Sequence, residues 1–309
     1  MGSSNSRVRQ ALGFGCRLVF QAACLLLAAC AGVGGTEASR PYPIDGKGLV
    51  IWAHSDIQPR DPAQMKNYKE AINDVRKNFG PISVGIIAGD LVHHAESERE
   101  YRWLGQLQRQ TEVRHWLSIA GNHEWRNIEM YKRHAKLPLR FSRAWGNVLI
   151  LFMSNEKPGR RSAFSDGSFR WWRKQVIENQ DKILITVTHA CLKGSGLPAA
   201  RFRSLQIVDS QRFVEVLRKY RVDIWLSGHS HFPNWLPGMH YRNERLNGTF
   251  FIDLGAIRKD FSTAVESRFL FFKKGSNQAI LYYRNHEKMS FDGSAIIHLV
   301  HPFIDEKRN

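Results

Sequence analysis

The stretch WAHSDIQPRD, Trp52 to Asp61, decides how the rest of the chain is read. It closes an apolar run, LVIWA, and then turns polar at once, as a buried strand does where it leaves a sheet. Just past the run stand a carboxylate, Asp56, and two positions later an amide, Gln58. Four more apolar runs end in the same manner. Asp90 follows VGIIAG, Asn122 and His123 follow WLSIAG, His189 follows ILITVT, and His229 and His231 follow IWLSG. Singly, each is an ordinary turn or loop residue. The repetition of the pattern is what carries information.

Between these runs lie segments of helical periodicity: PAQMKNYKEAINDVRKNF (62–79), ESEREYRWLGQLQRQ (96–110), SDGSFRWWRKQVIENQ (165–180) and SQRFVEVLRKY (210–220). Strand–helix–strand alternation predicts parallel strands with right-handed crossovers, hence an α/β layered fold. Parallel strands open their C-terminal ends on one edge, where ligands bind, so five distant segments are expected to converge on one site. Three of the ligand-type residues directly follow glycine, at Gly89-Asp90, Gly121-Asn122 and Gly228-His229. A residue without Cβ allows a sharp bend and a close approach. Toward the end the pattern changes. GTFFIDLG, SRFLFFKKG, AILYYRN and AIIHLV read as strands with short connections, which suits an antiparallel second sheet. No internal repeat or linker interrupts residues 48–309, which are read as a single domain.

The ordered set SDIQ, GDLV, GNHE, TVTH and GHSH resembles the calcineurin-like metallophosphoesterase superfamily, whose pattern runs Asp-x-His, Gly-Asp, Gly-Asn-His-Glu/Asp, a lone His, and Gly-His-x-His. The resemblance covers residues from about 50 to 231, and GNHE followed by GHSH is its most specific part. It implies a two-sheet β-sandwich flanked by helices. It also implies two divalent metal ions bridged by Asp90: one completed by Asp56, His231 and Gln58, the other by Asn122, His189 and His229. Two such ions about 3.5–4 Å apart hold a bridging hydroxide, aim it in line at phosphorus and neutralise the phosphoryl oxygens. By the same resemblance His123 is the general acid beside the leaving oxygen. Glu124 is expected to hold its imidazole protonated by opposite charge.

Gln58 stands where the family has histidine, although some branches look similar in carrying Asp-x-Gln. Both side chains are neutral ligands, but an amide oxygen is a harder donor than an imidazole nitrogen. Preference therefore moves from zinc toward manganese or magnesium. Manganese is the first expectation, with iron, zinc and magnesium as alternatives. Two other readings stay open: Gln58 donates its amide N–H to the substrate phosphate, or it is a loop residue and the first metal binds weakly. His93 lies three residues after Asp90, where the related purple acid phosphatases place a metal-binding tyrosine. It is a candidate for the first metal or its outer shell, against the plainer reading of a loop histidine beside His94. Cys191, two residues past His189, either faces the same crevice or is a buried small residue. Arg140, Arg201 and Arg203 are read as phosphate-binding or solvated, and Trp52, Trp225 and one of Trp171 and Trp172 as core.

Residues 1–29 read as a signal peptide. Arg7, Arg9 and Arg17 precede the apolar run LVFQAACLLLAA, which is too short to span a bilayer. The run closes on LAAC, which resembles a bacterial lipobox, so Cys30 is expected to carry a lipid and residues 30–47 to form a flexible tether. Ala31 after it points to the outer membrane, or otherwise the periplasmic face of the envelope. The alternative is myristoylation at Gly2 of MGSSNS. If Cys30 is lipidated and the leader removed, Cys191 is the one thiol left of four cysteines, so the domain relies on its core. The formal charge of +17 favours anionic partners, with a merely solubilising surface as the plainer reading. A phosphorylated substrate is the expected partner of a monomer. Nucleic acid suits the charge, but no aromatic-and-basic platform supports it. A phosphoester hydrolase is thus the expected function; the alternative is a non-catalytic scaffold or binding protein using the same fold. Phosphomonoester, phosphodiester (including cyclic nucleotide or nucleic acid) and pyrophosphate substrates fit equally.

Overall fold

The segment GLVIWAH forms β1, Gly48–His54, and six of its seven residues are buried. A strand buried on both faces belongs in the middle of a sheet, and β1 does lie inside a six-stranded one. It runs parallel to β2 (Ile82–Ile87), which runs parallel to β3 (Val113–Ser118). The crossovers are helices. α1 (Pro62–Asn78) starts where the Asp61 side chain accepts from the Gln64 N–H, with Pro62 in its first turn. It buries Tyr68, Ala71, Ile72 and Val75, one helical face. α2 (Glu98–Gln108) is capped by Ser97 and buries Tyr101, Leu104 and Leu107. These are the elements that the apolar spacing predicts.

The structure is a computed structural model that describes residues 48–157, 162–259 and 263–305. The signal peptide, Gly2, the lipobox with Cys30 and the tether to residue 47 lie outside the described residues. Among the described residues, no helix is long and apolar enough to cross a membrane.

A short helix, α3 (Ile128–Ala135), leads into the second six-stranded sheet. It contains β4 (Arg140–Trp145), β5 (Val148–Met153), β6 (Ile183–Thr188), β7 (Ile224–Ser227), β8 (His240–Asn243) and β9 (Thr249–Asp253). β5, β6, β7 and β9 are parallel neighbours, with β4 and β8 antiparallel at the edges. α4 (Asp166–Glu178) and α5 (Ser210–Leu217) cross over between them. Trp172 of α4 packs on Phe213 and Trp225 at ring distances of 4.8 and 5.7 Å, and both indole N–H groups are satisfied by threonines of β6. Truncating a buried tryptophan of this kind costs about 3–5 kcal/mol. Trp52 and Trp225 are core as expected, and Trp172 is the buried one of its pair.

The last strands correct the expectation of a separate antiparallel sheet. β9 joins the second sheet in parallel beside β7. β10 (Glu266–Lys273), β11 (Gln278–Asn285) and β12 (Ser290–His298) extend the first sheet, with β10 antiparallel to β1. The register sets Trp52 opposite Phe269, whose ring lies parallel to Trp52 at 6.0 Å and to Phe79 at 4.4 Å. That aromatic stack joins residues more than 200 positions apart, a partnership that periodicity cannot reveal. The same seam carries an ion cluster. Arg284 grips Asp74 of α1 through Nε and Nη2 at 2.8 and 2.6 Å, and His286 Nδ1 reaches the same carboxylate at 2.7 Å. The expected α/β two-sheet sandwich flanked by helices is therefore present, with its strands shared out differently.

Candidate metal centre

The C-terminal ends of β1, β2 and β3 meet those of β6 and β7. Asp56, Asp90 and Asn122 come from the first sheet, and His189, His229 and His231 from the second. The loops that deliver them are strained. Asp56, Asp90, His229 and His231 all hold positive φ, from 52° to 67°. A side chain there costs about 1–3 kcal/mol unless its surroundings impose it. Two glycines make the crowding possible. A Cβ at Gly121 would lie 2.2 Å from Asp90 Oδ1, and one at Gly228 would lie 2.0 Å from Ser55 Oγ and 2.7 Å from Asp56 Oδ2.

Donor atoms of Asp56, Asp90, His189 and His229 lie within 4.8 Å of one another. Asp90 is the hub. Its Oδ1 is 3.4 Å from His189 Nε2, and its Oδ2 is 3.1 Å from Gln58 Nε2. Asp56 Oδ1 lies 3.0 Å from His231 Nε2 and 3.3 Å from Gln58 Nε2. Asn122 Oδ1 sits 3.1 Å from His189 Nε2. All seven ligand-type residues named from the sequence are thus in one place. Gln58 is buried with its carboxamide among Asp56, Asp90 and His231; turning that group about its bond brings Oε1 to the same point.

Outer contacts aim several of these groups. His189 Nδ1 donates to the Ala88 carbonyl at 2.8 Å, leaving Nε2 toward the centre. His229 Nε2 donates to the Ser204 carbonyl at 3.2 Å, which leaves Nδ1 as its basic nitrogen. Burial would lower the His189 pKa, but the Asp90 and Asp56 carboxylates raise it to about 10. For Asp90, burial would raise the carboxyl, and His189 outweighs it, holding it at about 2. Two fully buried carboxylates thus draw whatever positive charge is near. Carboxylate, carboxamide and imidazole together suit a divalent first-row cation, and the residues present fit one.

His123 lies at the rim. Its backbone N–H donates to Asp90 Oδ1 at 2.9 Å, and its Nδ1 donates to the His93 carbonyl at 3.1 Å. Nε2 is then the nitrogen turned inward, 3.9 Å from Asp90 Oδ2. The expectation for Glu124 is corrected. Its carboxylate does not hold the His123 ring; it accepts four backbone N–H groups, from Gly121, Asp90, Leu91 and Val92, at 2.8–3.2 Å. It fastens the Asp90 loop to the Gly121 loop. Burial and the Asp90 carboxylate push the Glu124 carboxyl up to about 7, and the amide donors from Gly121 and Val92 work against that rise. His93 acts through its backbone, and its ring lies 5.2 Å from that of His123. Cys191 turns away to donate to the Leu205 carbonyl, and burial pushes its thiol well above the usual range. Arg140 is tied to Ser168 Oγ at 2.8 Å.

Sequence reasoning missed Arg258. It is buried, it donates to the Gln58 carbonyl at 2.7 Å, and its guanidinium lies 3.3 Å from His231 Nδ1. It thereby braces the two residues that flank Asp56. Its segment, GAIRK, carries no signal that separates a buried arginine from a solvated one.

A two-sheet α/β layer with carboxylates, histidines and an asparagine gathered at the strand ends defines a metal-dependent hydrolase scaffold. The calcineurin-like phosphoesterase profile matches residues 49–233, and the chain belongs to that family. No curated protein matches the chain at a significant level. Among solved structures, a purple acid phosphatase from yellow lupin seeds aligns with a TM-score of 0.59 and 16% identity, over 85% of this chain and 55% of that one. This chain therefore spans about half the length of the lupin protein. GAP50, the anchor in the inner membrane complex of Plasmodium, aligns with a TM-score of 0.61 and 11% identity, over 83% of this chain and 90% of that one. At such identities the likeness speaks for the fold. The family and the donor cluster together support a metal-dependent phosphoesterase.

Proposed function

We propose that the chain hydrolyses phosphate esters with two divalent cations held about Asp90. The observation that carries the reading is that one carboxylate, Asp90, touches both halves of the donor set, Gln58 on one side and His189 on the other. Asp56, Gln58 and His231 would hold one cation, and Asn122, His189 and His229 the other, with manganese expected first. Bound there, the cations supply Lewis acidity toward phosphoryl oxygens and an activated water. The chain's own residues do the rest. His189 and His229 are locked by carbonyls, so their free nitrogens need no reorganisation. His123 Nε2 faces inward and gives a proton to the leaving oxygen, while its Nδ1–H stays on the His93 carbonyl. Glu124 keeps the Asp90 and His123 loops in register.

The proposal places the domain on the envelope through a lipid at Cys30, on the strength of LAAC alone. It is tested by elemental analysis and by hydrolysis of p-nitrophenyl phosphate and its bis-ester, with and without manganese. About two metals per chain, and a loss of about 10²–10⁴-fold in His123→Ala, are expected. Absence of both metal and turnover would favour the scaffold reading.

A further inference from the structure

Beside the centre, a cavity of about 1290 Å³ is lined by six basic side chains, Lys193, Arg201, Arg203, Arg218, Arg242 and Arg245, against two acidic ones, Asp209 and Glu244. Arg242 is taken by Glu244 at 2.5 Å, and Asp209 faces Arg212 at 3.7 Å. Among the described residues, no ion pair engages the other five cations. In the sequence they are scattered; the fold brings them together from three segments. All six basic side chains are exposed, and a concave surface with an excess of one sign concentrates its field.

The wall is built rather than loose. Asn243 Nδ2 donates to the Gly194 carbonyl at 2.8 Å, Gln206 Nε2 donates to the Ala200 carbonyl at 2.6 Å, and Cys191 and Ile207 exchange backbone contacts with the same segment. Gly196 holds φ +97° with the Tyr241 ring so close that a Cβ would meet it at 2.1 Å. The cavity also borders the chemistry. Ser204, whose carbonyl accepts from His229 at 3.2 Å, stands directly after Arg203.

We propose that this cavity is a second anion subsite, so that the substrate carries at least one phosphoryl group besides the one attacked. The inference rests on the phosphoesterase reading and narrows it to multiply phosphorylated small molecules. Arg201 and Arg203, the latter directly before the Ser204 whose carbonyl holds His229, clasp that second group by paired N–H donation.

The test is isothermal titration of the metal-loaded full chain with orthophosphate and with tripolyphosphate. Tripolyphosphate should bind more tightly by about tenfold or more. Arg201→Ala/Arg203→Ala should abolish that preference. Arg140→Ala, which removes an arginine tied to Ser168, should keep the preference. Adenosine triphosphate as a third probe separates sources: equal affinity assigns the subsite to phosphoryl groups alone, and tighter binding adds a nucleoside to it. Equal binding of orthophosphate and tripolyphosphate, or a preference that survives in the double variant, overturns the inference. Should the chain prove inactive on every ester, the tripolyphosphate preference would still be measurable, so the two readings fail separately.

Discussion

The Gln58 carboxamide reaches Asp90 Oδ2 at 3.1 Å, so the residue that departs from the family pattern touches the carboxylate at the middle of the centre. An ordinary loop glutamine would be solvated; this one is buried among three ligand-type side chains.

Gln58→His should shift metal preference toward zinc, because an imidazole nitrogen replaces a harder amide oxygen. Elemental analysis after equal exposure to zinc and manganese reads this directly. Gln58→Ala should lose about one of the two metals per chain. Unchanged metal content in both variants would remove Gln58 from the donor set.

Gly121→Ala should disrupt the centre, since the added Cβ would fall 2.2 Å from Asp90 Oδ1. Metal content should drop together with thermal stability. Gly293→Ala in β12, where no atom lies within 4 Å of the added Cβ, is the control and should change stability by no more than about 0.5 kcal/mol.

Glu124→Gln separates a structural clamp from a partner of His123. The clamp predicts that the amide N–H₂ will face backbone donors, costing about 1–3 kcal/mol in unfolding free energy. A partner of His123 would instead alter the pH dependence of turnover at unchanged stability. Denaturant unfolding beside a pH–rate profile tells them apart.

Asp74 gives a pH dependence remote from the centre. Burial alone would raise its carboxyl, but the Arg284 and His286 hydrogen bonds outweigh burial and hold it at about 2. A folded-state value below the unfolded one of 3.8 contributes stability above about pH 4 and loses it as pH falls through 2. The contribution is about 2 kcal/mol. Asp74→Asn should be less stable at pH 7 by about 3–5 kcal/mol, because Arg284 is left buried without its partner. It should also lose that slope in acid, followed by tryptophan fluorescence.

Much of the site was legible because its residues sit directly after apolar runs, where strand length and burial fix their position. β1, β2, β3, β5, β6 and β7 follow from those runs within a few residues at each end. β4 and β8 did not show, since RFSRAW and HYRN are edge strands with solvent-facing charges. The sheet in which β10 to β12 lie was also hidden, because the stack of Trp52 on Phe269 is a tertiary event. Glu124 was found but misassigned: adjacency to His123 in sequence says nothing of four backbone amides that converge from two loops. Arg258 left no trace, as burial of a charge is decided by partners brought from elsewhere.

The donor set is divided between two layers, Asp56, Asp90 and Asn122 on one and His189, His229 and His231 on the other. A cation seated among them would work as a tie-bar across the sandwich, in a domain whose described residues contain one cysteine, Cys191. Its binding energy then opposes separation of the layers, by about 2.7 kcal/mol at a hundredfold excess over the dissociation constant. Metal supply during synthesis would therefore govern how much folded protein accumulates, as well as how fast each molecule turns over.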